Sequence, residues 1–120
     1  MAFAAVDQRR LHALLVNTDG FFLTQRNQIA TLASRYAVPA IYNQREFVEV
    51  GGLLSYGART SDMYHQVGIY TGRILKGEKP ADLPVVQPTK FELVVNLRTA
   101  KVLGLTIPEP FLLLADEIIE

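Results

Sequence analysis

The sequence predicts an α/β fold in which a parallel sheet is flanked by helices. Two short apolar segments, Leu11–Val16 and Ala40–Tyr42, enclose a stretch with helical periodicity. Together they span about 32 residues, the size of a β-α-β unit. The chain has 120 residues, of which 49% are hydrophobic and 20% charged. That is enough for one domain with a packed core.

Each element of the first half has a local signal. Residues 3–10 predict the last turns of a helix, and the polar residues 17–20 predict a turn after the first strand. A second helix is predicted from Thr24, because its apolar residues share one stripe: Ile29, Leu32, Ala33 and Tyr36. Pro39 ends this helix, since proline disfavours the α conformation of the preceding residue. Leu53–Gly57 predicts a third strand.

The second half begins with a longer helix and a proline-rich connector. Ser61 or Asp62 is expected to cap the helix. Its apolar residues recur at helical spacing: Met63, Val67, Tyr70 and Ile74. Three of the six prolines fall within residues 78–90. These residues are therefore expected to form an extended connector.

The last thirty residues predict two strands around two short helices. Apolar and polar residues alternate along Phe91–Leu97, as in a half-buried strand. Asn96 is expected to cap a helix that runs to Leu103 and ends at Gly104. Pro108 suits the first turn of a further short helix, and residues 118–119 close a final strand.

Composition argues against several function classes. Twelve basic and twelve acidic residues give zero net charge, whereas nucleic-acid-binding modules normally carry a basic excess. The chain has no cysteine, and its two histidines are far apart, so no cofactor or metal is expected. We expect His12 to be buried within the first strand. The charges follow the apolar residues 1–6, which is the wrong order for a secretory signal peptide.

The loops after the predicted strands hold the candidate binding residues. Ligands of open α/β sheets bind outside the carboxyl ends of the strands. The candidates at these ends are Asp19, Phe21, Tyr42, Arg45, Glu46, Ser55 and Tyr56. They suit a small zwitterion: Asp19 or Glu46 would hold an ammonium group, Arg45 a carboxylate, and the aromatic rings a side chain. The alternative is structural, with Asp19 capping a helix and Arg45 paired with Glu46.

Two enzyme interpretations centre on Asp19. Residues 17–20 (NTDG) are similar to the strand-end motif of haloacid-dehalogenase-type phosphatases, but Asn17 stands where the nucleophilic acid is needed. A response-regulator receiver would require further acidic residues that the sequence does not place. We therefore predict that the chain is not an enzyme.

Four segments together resemble one protein family. They are Leu14–Phe22, Val38–Tyr42, Arg45–Gly57 (REFVEVGGLLSYG) and Arg73–Val94 (RILKGEKPADLPVVQPTKFELV). They are similar to the carboxyl-terminal part of ABC transporter substrate-binding proteins, in the branch of tryptophan- and tyrosine-type uptake systems. The resemblance implies a type I periplasmic-binding-protein fold, whose two lobes close over an amino-acid-like solute. It also implies an ABC permease as partner, and a periplasmic or otherwise extracytoplasmic location for the intact family member.

The resemblance also implies a division of this chain. Residues 1–57 would be a β-α-β unit of the second lobe, residues 58–90 a hinge-crossing helix and connector, and residues 91–120 the return to the second lobe. The amino-terminal lobe would be missing, which leaves half a cleft. Gly68 and Gly72 present a bare helix face. We therefore expect a homodimer through residues 61–77. The alternative function is a stand-alone, self-associating α/β protein without a transport role.

Overall fold

The computed structural model describes residues 2–120. Met1, the first residue of the apolar amino-terminal stretch, lies outside them. The helices and strands of the first half are α1 (Ala2–Gln8), β1 (Leu14–Val16), α2 (Gly20–Thr24), α3 (Arg26–Arg35), β2 (Ala40–Tyr42), α4 (Arg45–Glu49) and β3 (Leu54–Ala58). Those of the second half are α5 (Thr60–Leu75), a 3₁₀ turn (Pro80–Asp82), β4 (Phe91–Asn96), α6 (Leu97–Val102), α7 (Glu109–Leu112) and β5 (Glu117–Ile119).

The chain divides into two compact units. Unit 1 runs to Gly57 and resumes from Glu92 to Glu120. Unit 2 is the intervening segment Ala58–Phe91, which contains α5 and the connector. Every residue that the structure buries among those described belongs to unit 1, so unit 1 holds the core.

The described strands of unit 1 form one five-stranded sheet in the order β1-β2-β3-β4-β5. β1 pairs with β2, β2 with β3, and β4 with β5, all in parallel. At the junction of β3 and β4, Asn96 N donates to Leu53 O, and Arg59 N donates to Lys90 O. Residue numbers rise along one strand as they fall along the other, so this pair is antiparallel. The predicted α/β class is confirmed, with a mostly parallel sheet.

The centre of the core is a cluster between the sheet and the helices. It consists of Val16, Ala33, Ala40, Tyr42 and Phe47. The rings of Tyr42 and Phe47 stack with centroids 4.6 Å apart. A Cβ on Gly52 would lie 2.7 Å from both the Tyr42 ring and Phe47 O. Glycine therefore fits at this position without a steric clash, whereas a larger residue would not.

Three predictions about local structure are wrong. His12 is exposed and precedes β1, because the chain leaves α1 through a turn in which Arg10 has a φ of 50°. The predicted loop around Phe21 is instead a separate helix, α2. Neither Ser61 nor Asp62 caps α5, which begins at Thr60 without a side-chain cap in the described structure.

Candidate functional site

The carboxyl ends of β1, β2 and β3 meet at one edge of the sheet, which we call the strand-end edge. The antiparallel β4 brings its first residues to this edge, and β5, parallel to β4, does the same. The loops that follow β1 and β2 therefore lie on the same edge of the sheet as the starts of β4 and β5. This edge positions the candidate residues.

Asp19 stands at the end of the β1 loop and caps α2. Its carboxylate accepts hydrogen bonds from the backbone N–H groups of Phe21 at 2.8 Å and Phe22 at 3.3 Å. The structural interpretation of Asp19 as a helix cap is thus confirmed. Phe21, in the first turn of the capped helix, is 67% exposed. A large exposed aromatic ring at a strand end is a ready contact for an apolar ligand group.

Arg45, in the first turn of α4, forms ion pairs with three carboxylates. Its Nε donates to Glu49 at 2.8 Å and its Nη2 to Glu117 at 2.8 Å. Its Nη1 donates to both oxygens of Glu92, at 3.2 and 3.3 Å. The hydrogen bonds to Glu49 and then Glu117 raise the pKa of Arg45 above its ordinary value. The predicted surface pair of Arg45 with Glu46 is not what the structure shows.

Glu46 and Tyr56 also lie at the strand-end edge. Glu46 is half-buried, and its Oε2 has no hydrogen-bond partner within residues 2–120. A desolvated carboxylate oxygen of this kind is best satisfied by a cationic or hydrogen-bond-donating group. Tyr56 is the middle residue of β3 and follows Ser55, the register partner of the last residue of β2. It is 57% exposed, so its ring presents a second aromatic surface.

Tyr42 and Ser55 are core residues in this structure. Tyr42 is fully buried and Ser55 is 2% exposed, and the two are register partners on β2 and β3. Burial raises the pKa of the Tyr42 phenol from 10.0 to about 12. Both side chains therefore support the strand ends from inside the sheet layer.

Gly57 fixes the separation between the end of β3 and the loop after β2. A Cβ at this position would lie 2.0 Å from the carbonyl oxygen of Asn43. This distance is far shorter than a van der Waals contact, so any larger residue would force the loop after β2 to move. The close approach therefore sets where Arg45 and Glu46 begin α4.

Sequence reasoning missed the three partners of Arg45. Glu49 follows Arg45 by four residues, a spacing at which opposite charges meet on a helix, so this pair was visible in the sequence. Glu92 and Glu117 are 47 and 72 residues away. No local signal links them to Arg45, because only the strand order brings them to the same edge.

Unit 2 has a groove of its own. It has a volume of about 720 Å³ and lies between α5 and residues 80–90. The predicted apolar stripe of α5 lines it, and the Tyr70 hydroxyl donates to the carbonyl oxygen of Pro84 across it. The stripe is only partly covered, since Met63 is 50% and Val67 61% exposed.

The described residues form neither a metal-ion cluster nor a membrane-spanning helix. Residues 2–120 contain no group of three or more His, Cys, Asp or Glu side chains arranged to hold a metal ion. None of the helices in this part of the chain is both long and apolar enough to cross a membrane.

Comparison with known proteins identifies the family. The profile of the family described as ABC transporter substrate binding protein matches residues 2–119. The chain therefore belongs to this family, whose members bind substrates and are periplasmic. Among curated proteins, none matches the sequence significantly.

Two solved structures are similar to this chain over almost its whole length. A conserved domain protein from Vibrio cholerae O1 biovar El Tor strain N16961 is 26% identical, with a TM-score of 0.89 over 98% of this chain and 39% of its own. The ABC domain in complex with L-Trp from Streptococcus pneumoniae is 29% identical, with a TM-score of 0.85 over 98% of this chain and 41% of its own.

A third solved structure shares the fold. It is the ligand-free, open structure of a substrate binding protein with adhesive properties from Clostridium difficile, at 22% identity and a TM-score of 0.65. The alignment covers 99% of this chain and 39% of the other. The chain thus spans about two fifths of the length of the solved proteins that it matches, and these are periplasmic-binding-protein-like domains.

Proposed function

We propose that this chain forms one wall of the solute-binding cleft of an ABC importer, and that the solute is an amino acid with an aromatic side chain. The observation that carries this proposal is the strand-end edge, where two exposed aromatic rings lie on the same edge as two carboxylates. The similar structure from Streptococcus pneumoniae, which holds L-Trp, supports the same solute class. The function is binding and delivery to a permease outside the cytoplasm, without catalysis.

The candidate residues divide into contacts and supports. Phe21 and Tyr56 would pack on the side chain of the solute, and Asp19 or Glu46 would accept hydrogen bonds from its ammonium group. Tyr42 and Ser55 are buried, so they hold the strand ends in place. One wall encloses a small molecule incompletely, and the isolated chain should therefore bind in the millimolar range.

A thermal-shift titration with L-tryptophan tests this function. Binding to the native state raises the melting temperature by mass action, so we expect a saturable increase for L-tryptophan and none for L-glutamate. Phe21→Ala should abolish the increase. Val102→Ala, which changes a 69% exposed apolar residue in α6, beyond the opposite end of β4, should retain it. A cooperative melt that no aromatic amino acid shifts would contradict the proposal for this chain.

We also propose, as the second candidate, that α5 mediates a homodimer through residues 61–77. The supporting observation is its glycine face. A Cβ at Gly68 or Gly72 would meet no atom within 4 Å in the described structure. By helical geometry these glycines lie opposite the groove-lining stripe. Neighbouring side chains on that side are strongly exposed, Tyr64 at 73% and Leu75 at 82%.

Light scattering after size exclusion tests the dimer. Gly68→Leu should convert a dimer into a monomer, because the added side chain blocks close approach of two helices. Gly20→Leu adds the same side chain in unit 1, where a Cβ would meet nothing within 4 Å, and should leave the mass unchanged. A wild-type chain that elutes as a monomer at high micromolar concentration would rule the dimer out.

A further inference from the structure

Arg45 joins three elements at the strand-end edge. Glu49 lies one turn further along α4, Glu92 is the second residue of β4, and Glu117 is the first residue of β5. One guanidinium therefore ties the start of α4 to the starts of two neighbouring strands. Glu92 is also the residue at which the chain re-enters unit 1.

We propose that Arg45 is a positioning residue: it holds the starts of β4 and β5 against α4, and it does not bind the carboxylate of the solute. This inference rests on the proposed function for its effect on binding, and on the ion pairs for its effect on structure. It assigns Arg45 a role different from the carboxylate receptor that the sequence suggests.

The hydrogen bonds of the guanidinium carry the first part of the argument. Its Nε, Nη1 and Nη2 each donate to a glutamate. A solute carboxylate would have to share the guanidinium with these three partners. The Glu92 side chain is only 12% exposed, so its separation from a cation would carry a desolvation penalty.

The local charge carries the second part. Three carboxylates lie within 3.2 Å of one guanidinium. A further anion that approaches Arg45 meets the negative charge of all three. We therefore expect the carboxylate of an amino-acid solute to be held by groups other than Arg45.

Two probes that differ only in a carboxylate test the role. L-tryptophan and tryptamine share the indole ring and the ammonium group, and tryptamine lacks the carboxylate. A positioning residue supports the whole edge, so Arg45→Ala should weaken both compounds by the same factor, about tenfold. If the loss is confined to L-tryptophan, Arg45 binds the carboxylate and the inference is overturned.

Partner variants separate positioning from general stability. Glu92→Gln and Glu117→Gln should each reproduce part of the Arg45→Ala effect for both compounds. Arg45→Lys should recover little, because one ammonium group cannot satisfy carboxylates in three directions. Asn96→Ala is the control, because it destabilises unit 1 at the opposite end of β4. Below the melting temperature of this variant, its affinities for L-tryptophan and tryptamine should be unchanged. If Asn96→Ala lowers both affinities as much as Arg45→Ala does, Arg45 only stabilises the fold and does not position the binding edge.

Hydrogen exchange tests positioning without any solute. Leu93 N donates to the Asp116 carboxylate at 2.8 Å, and Asp116 N donates to Leu93 O at 2.9 Å. The exchange rates of these two amides therefore measure how often the starts of β4 and β5 separate. Arg45→Ala should speed their exchange about tenfold. If the wild type binds neither compound, the proposed function fails, but the exchange rates still test the structural role of Arg45. Unchanged exchange of these amides in Arg45→Ala would overturn that role.

Discussion

Burial of Tyr42, at the end of β2, leaves its hydroxyl group without a hydrogen bond in the described structure. Its ring stacks on Phe47, but its hydroxyl has no hydrogen-bond partner among residues 2–120. An unsatisfied buried hydroxyl destabilises the folded state by about 1–3 kcal/mol. The apolar ring is therefore what keeps Tyr42 in the core, and the hydroxyl opposes it.

Tyr42→Phe should raise the free energy of unfolding by about 1 kcal/mol at pH 8, because it removes the hydroxyl and keeps the ring. Urea unfolding measures this change. Phe47→Leu is the matched control, since it removes the stacking partner and should lower stability. A less stable Tyr42→Phe variant would show that the hydroxyl is satisfied in solution.

The same phenol makes stability depend on alkaline pH. Its pKa is raised to about 12 by burial, whereas the unfolded chain titrates near 10.0. Below pH 10 both states hold the proton, so its full contribution is present. Between pH 10 and 12 the unfolded state loses the proton first, and stability falls by up to about 3 kcal/mol. Tyr42→Phe should lose less stability than the wild type between pH 9 and 11.5; parallel curves would contradict this.

At Gly57 an added methyl group would meet the backbone of the loop after β2. Gly57→Ala places a Cβ against the Asn43 carbonyl and should destabilise unit 1 by about 2 kcal/mol. At Gly20 a Cβ would meet nothing within 4 Å, so Gly20→Ala should change stability by less than about 0.5 kcal/mol. Thermal unfolding compares the two. Equal melting temperatures would mean that the loop after β2 moves freely.

At the scale of elements, β4 and α6 are joined by one side chain. The Asn96 carboxamide oxygen caps α6 by accepting from Thr99 N at 3.1 Å, and its nitrogen donates to Val48 O at 3.3 Å. Asn96→Ala should lower the free energy of unfolding by about 2 kcal/mol in urea, since it removes both bonds at a buried position. Asp19→Ala removes an exposed cap and should lower it by less. The reverse order would contradict the assigned roles.

Elements with local causes were predictable from the sequence. The strand at Phe91–Asn96, the Asn96 cap and the helix end at Gly104, whose φ is 70°, all depend on neighbours in the chain. The half-burial predicted for this strand is wrong, because Leu93–Asn96 are all buried. The extent of β1 and the start of α5 were not predictable, because packing decides whether a residue such as Leu11 joins a strand. The charge cluster around Arg45 was beyond the sequence, since it depends on the strand order.

At the scale of the whole molecule, the two units differ in how they are stabilised. The α5 helix has sixteen residues, and in the described structure none of them is buried. By contrast, Leu93, Val94 and Val95 of β4 are all buried. A helix without a buried face depends on marginal intrinsic propensity. We therefore expect unit 2 to open far more often than unit 1.

Hydrogen exchange followed by mass spectrometry measures this difference. Amides of α5 should exchange at least about 100-fold faster than those of β4 in dilute solution. If the proposed dimer forms, protection of α5 should rise with protein concentration while that of β4 stays constant. Equal protection at all concentrations would contradict the difference in stability between the units.

The antiparallel junction has a consequence for protein engineering. Gly57 and Glu92 are register partners by the same numbering that pairs Leu53 with Asn96, and neighbouring strands lie about 5 Å apart. Two antiparallel strands can be connected by a two-residue turn such as Asn-Gly. We therefore expect that a short turn can replace Ala58–Phe91 and close β3 and β4 into a hairpin, which would give a smaller protein built on unit 1. The same position would then accept other inserted segments, such as reporters or binding peptides.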